Sequence, residues 1–330
     1  MAYRVDTTDH GGRTVYTLRD EATGSMASVL PSYGFNMFDL RLPAAGEVRR
    51  VVVACDDFPD NPTSPGRNGT PVLFPFPNRI RDGKYSFGGK SYQIPVGTKV
   101  HAIHGFAIAA KWEVLEQGAT ADEAFIVGRF QISEHAPDSR PLWPTDAVLT
   151  IRYALSGRKL TMTIEVENPT DQDLPYGFGI HPYFRIPFTT KNPEDGQVIL
   201  PASEYWPLEG NLPTGAPKPV DARLDFRQGQ TMAGQKLDDV LTNLEFDGDR
   251  CVCRLVDTPS KAEFRLSFDK HFRELVVFTP PFGEGTLIAV EPYTQTTDAI
   301  NLDARGVDAG LRVLGHGESE TMTITMETVG

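Results

Sequence analysis

Three cysteines are all the 330-residue chain carries, Cys55, Cys251 and Cys253. That is too few for a disulfide framework, and no pair has the C-x-x-C spacing of a zinc site. Cys251 and Cys253 fall two apart, so on a strand both thiols take one face, and reduced, half-buried thiols are expected. Long apolar runs are missing as well. Stretches such as Val51-Val52-Val53-Ala54 stop far short of the ~20 residues that span a bilayer as a helix. The opening Met1-Ala2-Tyr3-Arg4-Val5-Asp6 lacks the basic-then-apolar pattern of a secretory signal, so a cytoplasmic protein without a membrane partner is expected. Positive charge is in deficit, with 32 Lys and Arg against 44 Asp and Glu and a net charge of −12. A generally acidic surface repels phosphate backbones, which argues against a nucleic-acid partner. Net charge does not, however, identify an acidic substrate. The 40% of hydrophobic residues is ordinary for a globular chain with a substantial core, which excludes global disorder.

What the chain has in quantity is alternation with a period of two. Leu149, Ile151, Tyr153 and Leu155 alternate with polar residues. After Ser156-Gly157-Arg158 the pattern resumes at Leu160, Met162, Ile164 and Val166. This predicts two half-buried strands joined as an antiparallel hairpin. Lys84–Phe87 and Lys90–Ile94 flank Gly88-Gly89, a pair that supplies the positive φ angles of a two-residue hairpin loop. Thr14–Leu18 with Ser25–Leu30 reads as a further hairpin. Phe264–Phe268, Leu275–Phe278 and Met322–Met326 read as strands. No long segment has a helical apolar period, and 26 prolines and 30 glycines are scattered as turns. The expected fold is all-β, a large antiparallel sandwich. Length alone suggests about two domains. Strand patterning resumes directly after the candidate breaks at 138–141 and 207–218, so residues 1–330 are expected to form one domain.

Three segments concentrate residues that a plain sandwich does not need. In Asn78-Arg79-Ile80-Arg81 the two arginines share a face if the backbone is extended. They serve there either as solvated surface cations or as hydrogen-bond donors to one ligand. His101-Ala102-Ile103-His104-Gly105 offers a His-x-x-His pair, but without a helix or a third ligand it does not make a metal site, and none is expected. His104 is either bonded to backbone or placed beside a ligand. Tyr176-Gly177-Phe178-Gly179-Ile180-His181-Pro182-Tyr183-Phe184 sets a histidine among aromatic rings. Such a mixture suits a sugar, whose C–H faces are apolar and whose rim carries hydroxyls. Near the C-terminus an apolar strand ends at Glu291-Pro292, and a carboxylate there is either exposed or functional.

Together, these segments resemble the aldose 1-epimerase (galactose mutarotase) family. The matching pieces are Leu30-Pro31-Ser32-Tyr33-Gly34, Asn78-Arg79-Ile80 with the following Gly-Gly hairpin, His104-Gly105, Gly179-Ile180-His181-Pro182-Tyr183-Phe184, and Val290-Glu291-Pro292 followed by Asp298-Ala299. They occur in the family's order over nearly the whole chain. The resemblance implies a galactose mutarotase-like β-supersandwich that interconverts the α and β anomers of a hexose without metal or organic cofactor. Its partner is a small-molecule sugar, and the chain is a monomer or homodimer. It further implies Glu291 as general base at the C1 hydroxyl and His181 as general acid at the ring oxygen, with a neighbouring carboxylate helping to keep the imidazole protonated. Arg79 and His104 match residues that hold the sugar. Asp238, in Lys236-Leu237-Asp238-Asp239, matches a sugar-binding carboxylate, with Asp239 the alternative register.

The sequence departs from the best-known members of the family after His104-Gly105, where it continues Phe106-Ala107 and then Ile108. Hexose-6-phosphate 1-epimerases resemble this form but typically place an arginine at that last position. Its absence argues against a phosphosugar, although Arg79, Arg81 and Arg185 remain available for an anion. A sugar-binding sandwich without catalysis is the third reading, disfavoured by retention of both His181 and Glu291.

Overall fold

The computed structural model describes residues 2–329. Two large antiparallel sheets dominate it. The thirteen-stranded sheet begins at Tyr3–His10, runs through Arg13–Asp20, Met26–Leu30, Asn36–Ala44 and Glu47–Val52, and continues with Tyr183–Arg185, Leu287–Tyr293, Glu274–Phe278, Asp238–Leu244 and Ala202–Trp206. The nine-stranded sheet contains Glu113–Ala119, Ala124–Gln131, Val148–Ser156, Lys159–Glu167 and Ser319–Val329, then Glu263–Phe268 and Cys251–Asp257. The helices Ile132–His135 and Ala299–Asp303 are single turns. Among the described residues no helix is long and apolar enough to cross a membrane.

The period-two pattern explains the layers. In the hairpin Val148–Ser156 with Lys159–Glu167, Leu149, Ile151, Tyr153, Leu155, Leu160, Met162, Ile164 and Val166 are all buried, whereas Glu165 and Glu167 face water. Burying each such side chain contributes about 1.5–3 kcal/mol, so a slip of one residue would expose the whole set. The two sheets meet across one apolar core. Phe35 of the loop before Asn36–Ala44 stacks on Tyr153 at 5.4 Å, and Phe184 packs on Phe264 at 4.9 Å. The hairpin Lys84–Phe87 with Lys90–Gln93 turns through Gly88 and Gly89, whose φ angles of 56° and 76° are open to glycine at little cost.

Two local expectations are corrected. Cys251 and Cys253 do share a face of Cys251–Asp257, but that face is the core, so the thiols are fully rather than half buried. Arg79 and Arg81 do not share a face. Extended backbone ends at Ile80, and Arg81 opens a 3-10 turn whose next residue, Asp82, has φ 54°.

Candidate active site

Glu291 lies in Leu287–Tyr293, a strand buried along its whole length, and is itself 1% exposed. A carboxylate placed there must be partnered. Tyr293, two residues on and therefore on the same face, donates its hydroxyl to Glu291 Oε2. Oε1 of the same carboxyl lies 3.3 Å from His181 Nε2. His181 reaches this position because Gly179 pairs with both Tyr293 and Leu73, and because the His181 N–H donates to Pro71 O at 3.0 Å. Its imidazole stacks on Tyr183 with ring centroids 4.9 Å apart and meets Phe278 edge-on at 6.2 Å.

The opposite wall is a short ribbon in which Arg79–Ile80 pairs with Ala102–Ile103. Asn78 and His104 end it, with φ 55° and 66°, and the His104 N–H donates to Asn78 O at 2.8 Å. Gly105 follows at φ 71°, and a Cβ there would lie 2.2 Å from Phe74 O. Only glycine lets the chain pass so close and turn His104 inward. Arg79 Nη1 donates to Asn78 Oδ1 at 2.9 Å. Behind the ribbon, the N–H of buried Asp298 donates to Arg79 O at 2.8 Å, while its Oδ1 accepts from the Arg81 N–H at 2.9 Å. This clamp accounts for Asp298 within the C-terminal motif. The His104 and His181 rings are 5.8 Å apart.

Arg79, His104, His181, Asp238 and Glu291 thus line one cavity of about 580 Å³. A larger depression of about 740 Å³ beside Arg81 and Tyr92 contains none of the five. Asp238 opens the strand Asp238–Leu244 opposite Phe278, and its Oδ2 accepts from Asn211 Nδ2 at 2.9 Å. Its neighbour Asp239 is held by both Nη atoms of Arg223 at 2.8 Å and does not line the cavity. The two histidines of His-x-x-His part company, since His101 Nδ1 accepts from the Asp82 N–H outside the cavity. Arg81 and Arg185 lie outside it too.

Tyr293, Arg67 and Lys99 also line the cavity and belong to no motif of the sequence, whereas Asn78 and Tyr183 enter it as members of the segments 78–81 and 176–184. The i, i+2 spacing of Glu291 and Tyr293 was the available signal for the first. Arg67 and Lys99 come from separate loops and carry no pattern.

Burial governs the electrostatics. It pushes the His181 imidazole down to about 4. It raises the Glu291 carboxyl well above the usual range, with Asp238 adding to the rise and the Tyr293 hydrogen bond and Arg79 opposing it. His104 is held well below its ordinary value by burial, then by His181 and Arg79. The expectation that the carboxylate keeps His181 charged is therefore corrected. Desolvation outweighs the attraction between the two groups, and burial disfavours the charged form of each.

Residues 14–327 match the model of a family described as aldose 1-epimerase. Among curated relatives, a galactose mutarotase of Mus musculus is 29% identical over 44% of this chain and 40% of its own length. An aldose 1-epimerase of Escherichia coli is 24% identical over 68% and 63%. The uncharacterized Escherichia coli protein YihR is 29% identical over 51% and 52%, so the chain spans about half the length of the curated relatives it matches. A solved galactose mutarotase-like protein from Clostridium acetobutylicum covers 99% of this chain and 98% of its own, with a TM-score of 0.87 at 21% identity, a likeness of fold.

Proposed function

Because the chain belongs to the aldose 1-epimerase family, we propose that it interconverts the α and β anomers of a hexose or related aldose, with residues 1–330 acting as one unit. The observation that carries this reading is the 3.3 Å approach of His181 Nε2 to Glu291 Oε1 inside a cavity large enough for a sugar. A hemiacetal carbon bears two oxygens, and anomerisation needs a proton removed from one while the other receives one.

Glu291, as carboxylate, takes the proton of the C1 hydroxyl. The C1–O5 bond breaks, its electron pair goes to O5, and the imidazolium of His181 protonates O5. Rotation about C1–C2 in the open-chain aldehyde and closure on its other face reverse both transfers. The pair carries one proton throughout, so opening and closing only relocate it. Burial narrows the gap between its two placements because neither group is strongly favoured in its charged form. Tyr293 holds Oε2 and leaves Oε1 to work. Arg79 and His104 offer donors to the ring oxygen and hydroxyls, and Asp238 accepts from hydroxyls at the mouth. Tyr183 and Phe278 supply apolar walls for the C–H faces of the ring.

The test is polarimetry with freshly dissolved α-anomers of glucose, galactose and other aldoses, together with the α-anomer of a hexose 6-phosphate. The expected result is relaxation to the anomeric equilibrium faster than buffer alone. Folded protein that accelerates none of them overturns the catalytic reading. It would leave a sugar-binding sandwich, which calorimetry with the same sugars would detect.

A further inference from the structure

The second depression, of about 740 Å³, lies behind the ribbon of Arg79–Ile80 with Ala102–Ile103 and shares no lining residue with the cavity of Glu291. Asp298 is the buried charge in its lining, and the two oxygens of that carboxyl are unequally used. Oδ1 accepts from the Arg81 N–H at 2.9 Å and from Asn301 Nδ2 at 2.7 Å. Oδ2 accepts no hydrogen bond, although the side chain is only 1% exposed. Arg81 Nε stands 3.7 Å from it, outside hydrogen-bond reach. A buried carboxylate oxygen without a donor is uncommon in a folded protein and marks a place where a further donor fits.

The walls come from the hairpin Lys84–Phe87 with Lys90–Gln93 and from the helical turn Ala299–Asp303. The two are tied together, since Asn301 Nδ2 also donates to Lys84 O at 2.9 Å. Tyr85 stacks on Tyr92 with ring centroids 5.0 Å apart and planes 10° from parallel, and it packs on Trp143 at 5.2 Å. The half-buried Tyr92 ring thus ends a row of aromatics anchored in the core. Across the same hairpin the hydroxyls of Ser86 and Ser91, 3.1 Å apart, also line the depression.

The open oxygen decides the class of ligand. An anion only accepts hydrogen bonds and would meet Asp298 Oδ2 with repulsion. A hydroxyl supplies the missing donor and, through its lone pairs, accepts from the guanidinium of Arg81 beside it. A pyranose carries such hydroxyls next to an apolar C–H face, which suits the Tyr92 ring. We infer that this depression is a second carbohydrate site, taking a neutral pyranose whose hydroxyls bridge Asp298 Oδ2 and Arg81 and whose C–H face lies on Tyr92. Its coupling to catalysis rests on the anomerase reading above. The Asp298 N–H donates to Arg79 O at 2.8 Å, so a ligand that draws on the carboxyl displaces the ribbon that carries Arg79 and, through Ala102–Ile103, leads to His104. Such a shift alters the affinity for substrate, whereas His181 and Glu291 stand on other strands and keep their separation.

The test uses the methyl glycosides of glucose and galactose, which have no C1 hydroxyl and so are not anomerised. Binding is followed by saturation-transfer NMR in the wild-type chain and in Tyr92→Ser and Arg81→Met variants, whose folds are checked by circular dichroism. Arg81→Met keeps the N–H that Asp298 binds. At least one glycoside is expected to bind the wild type, and to bind each variant about tenfold more weakly, the scale of one lost hydrogen bond to a charged group. In polarimetry the same glycoside should move the KM of the substrate aldose to a plateau, by on the order of fivefold, with little change in kcat. The plateau should vanish in both variants. Failure of every glycoside to bind, binding undiminished in both variants, or a KM that climbs without a plateau, as competition in the catalytic cavity would give, overturns the inference. A variant-sensitive plateau with inorganic phosphate and none with the glycosides assigns the site to an anion and overturns it too. Variant-sensitive binding with an unmoved KM overturns the coupling. The same binding in a chain that anomerises no aldose leaves the second site standing and sinks the anomerase reading.

Discussion

His181 Nε2 faces Glu291 Oε1 at 3.3 Å, and the two groups reach each other from different parts of the chain through paired strands. Gly179 is the junction. A Cβ there would lie 2.3 Å from Cδ1 of Tyr293, the residue whose hydroxyl holds the second oxygen of Glu291. The pairing of Gly179 with Tyr293 thus brings His181 beside the strand that carries both Glu291 and the hydroxyl bound to its carboxyl. Chemistry that moves a proton over such a distance depends on fixed geometry.

Glu291→Gln and His181→Asn should each lower kcat by on the order of 10²–10⁴-fold, the range for losing a positioned acid or base. Gln keeps an acceptor for Tyr293, and Asn is smaller than His but polar, so both variants should fold. Polarimetry alongside circular dichroism separates the effects. A folded variant with near-normal rates removes the role assigned to that residue.

The pH profile of kcat/KM should be bell-shaped. Burial lowers His181 to about 4 and raises Glu291, so between the two values the pair carries one proton. Below the lower value a second proton binds, and no base remains for the C1 hydroxyl. Above the upper value the single proton is lost, and no acid remains for the ring oxygen. In Glu291→Gln the remaining activity should lose its alkaline fall, because the group that released the proton is gone. An unchanged alkaline limb in that variant assigns it to another residue.

Much of this architecture can be read in the amino-acid sequence because period-two burial is a local property. The strands at Leu149–Leu155, Leu160–Val166 and Phe264–Phe268 follow from side chains that alternate whatever the chain does elsewhere. The sequence motifs contain the five site residues, but their convergence depends on pairings such as Gly179 with Tyr293 and Ile80 with Ala102, which no local pattern encodes. Arg81 illustrates the limit. Its spacing from Arg79 suggests one face, yet Asp298, more than two hundred residues away, binds the Arg81 N–H as the chain turns. The direction of the pKa shifts was likewise hidden, since desolvation depends on what the rest of the fold piles over His181.

Glu274 offers a test of burial away from His181 and Glu291. It is 1% exposed, accepts from Trp206 Nε1 at 3.0 Å, and burial pushes its carboxyl up to about 8. Unfolded, it ionises near 4.5. A raised folded value means its stability contribution is complete below the unfolded value and is lost as pH rises toward about 8, levelling off beyond it. Glu274→Gln keeps the acceptor for Trp206 and removes this loss. The Tm advantage of the variant should therefore grow from pH 5 to about 8. An advantage independent of pH places the ionisation elsewhere.

Gly105→Ala should damage the site from behind. The added Cβ meets Phe74 O at 2.2 Å in a left-handed conformation, a strain on the order of 1–3 kcal/mol that the backbone relieves by moving. Because Phe74 O also accepts from the Phe106 and Ala107 N–H groups, the movement displaces His104. A lower Tm with a raised KM is expected, and an unchanged KM would show that His104 does not set sugar affinity.

Asp238 and Asp239 are adjacent carboxylates with different surroundings, and their contrast tests which one meets the sugar. Asp239 is occupied by the Arg223 fork at the surface, an ion pair worth about 0–1 kcal/mol, so Asp239→Asn should change Tm slightly and leave KM alone. Asp238 has a single neutral donor, Asn211 Nδ2, which leaves acceptor capacity directed at the cavity. Asp238→Asn keeps the size of the side chain but turns half of its acceptors into donors. It should raise KM by on the order of tenfold with a smaller change in kcat, since the group lies away from the proton being moved. Its charge also contributes to the raised Glu291 carboxyl, so the same variant should shift the alkaline limb of the pH profile downward. A KM effect in Asp239→Asn that is missing in Asp238→Asn reverses the assignment, because it would mean that the strand turns the other carboxylate inward when sugar binds.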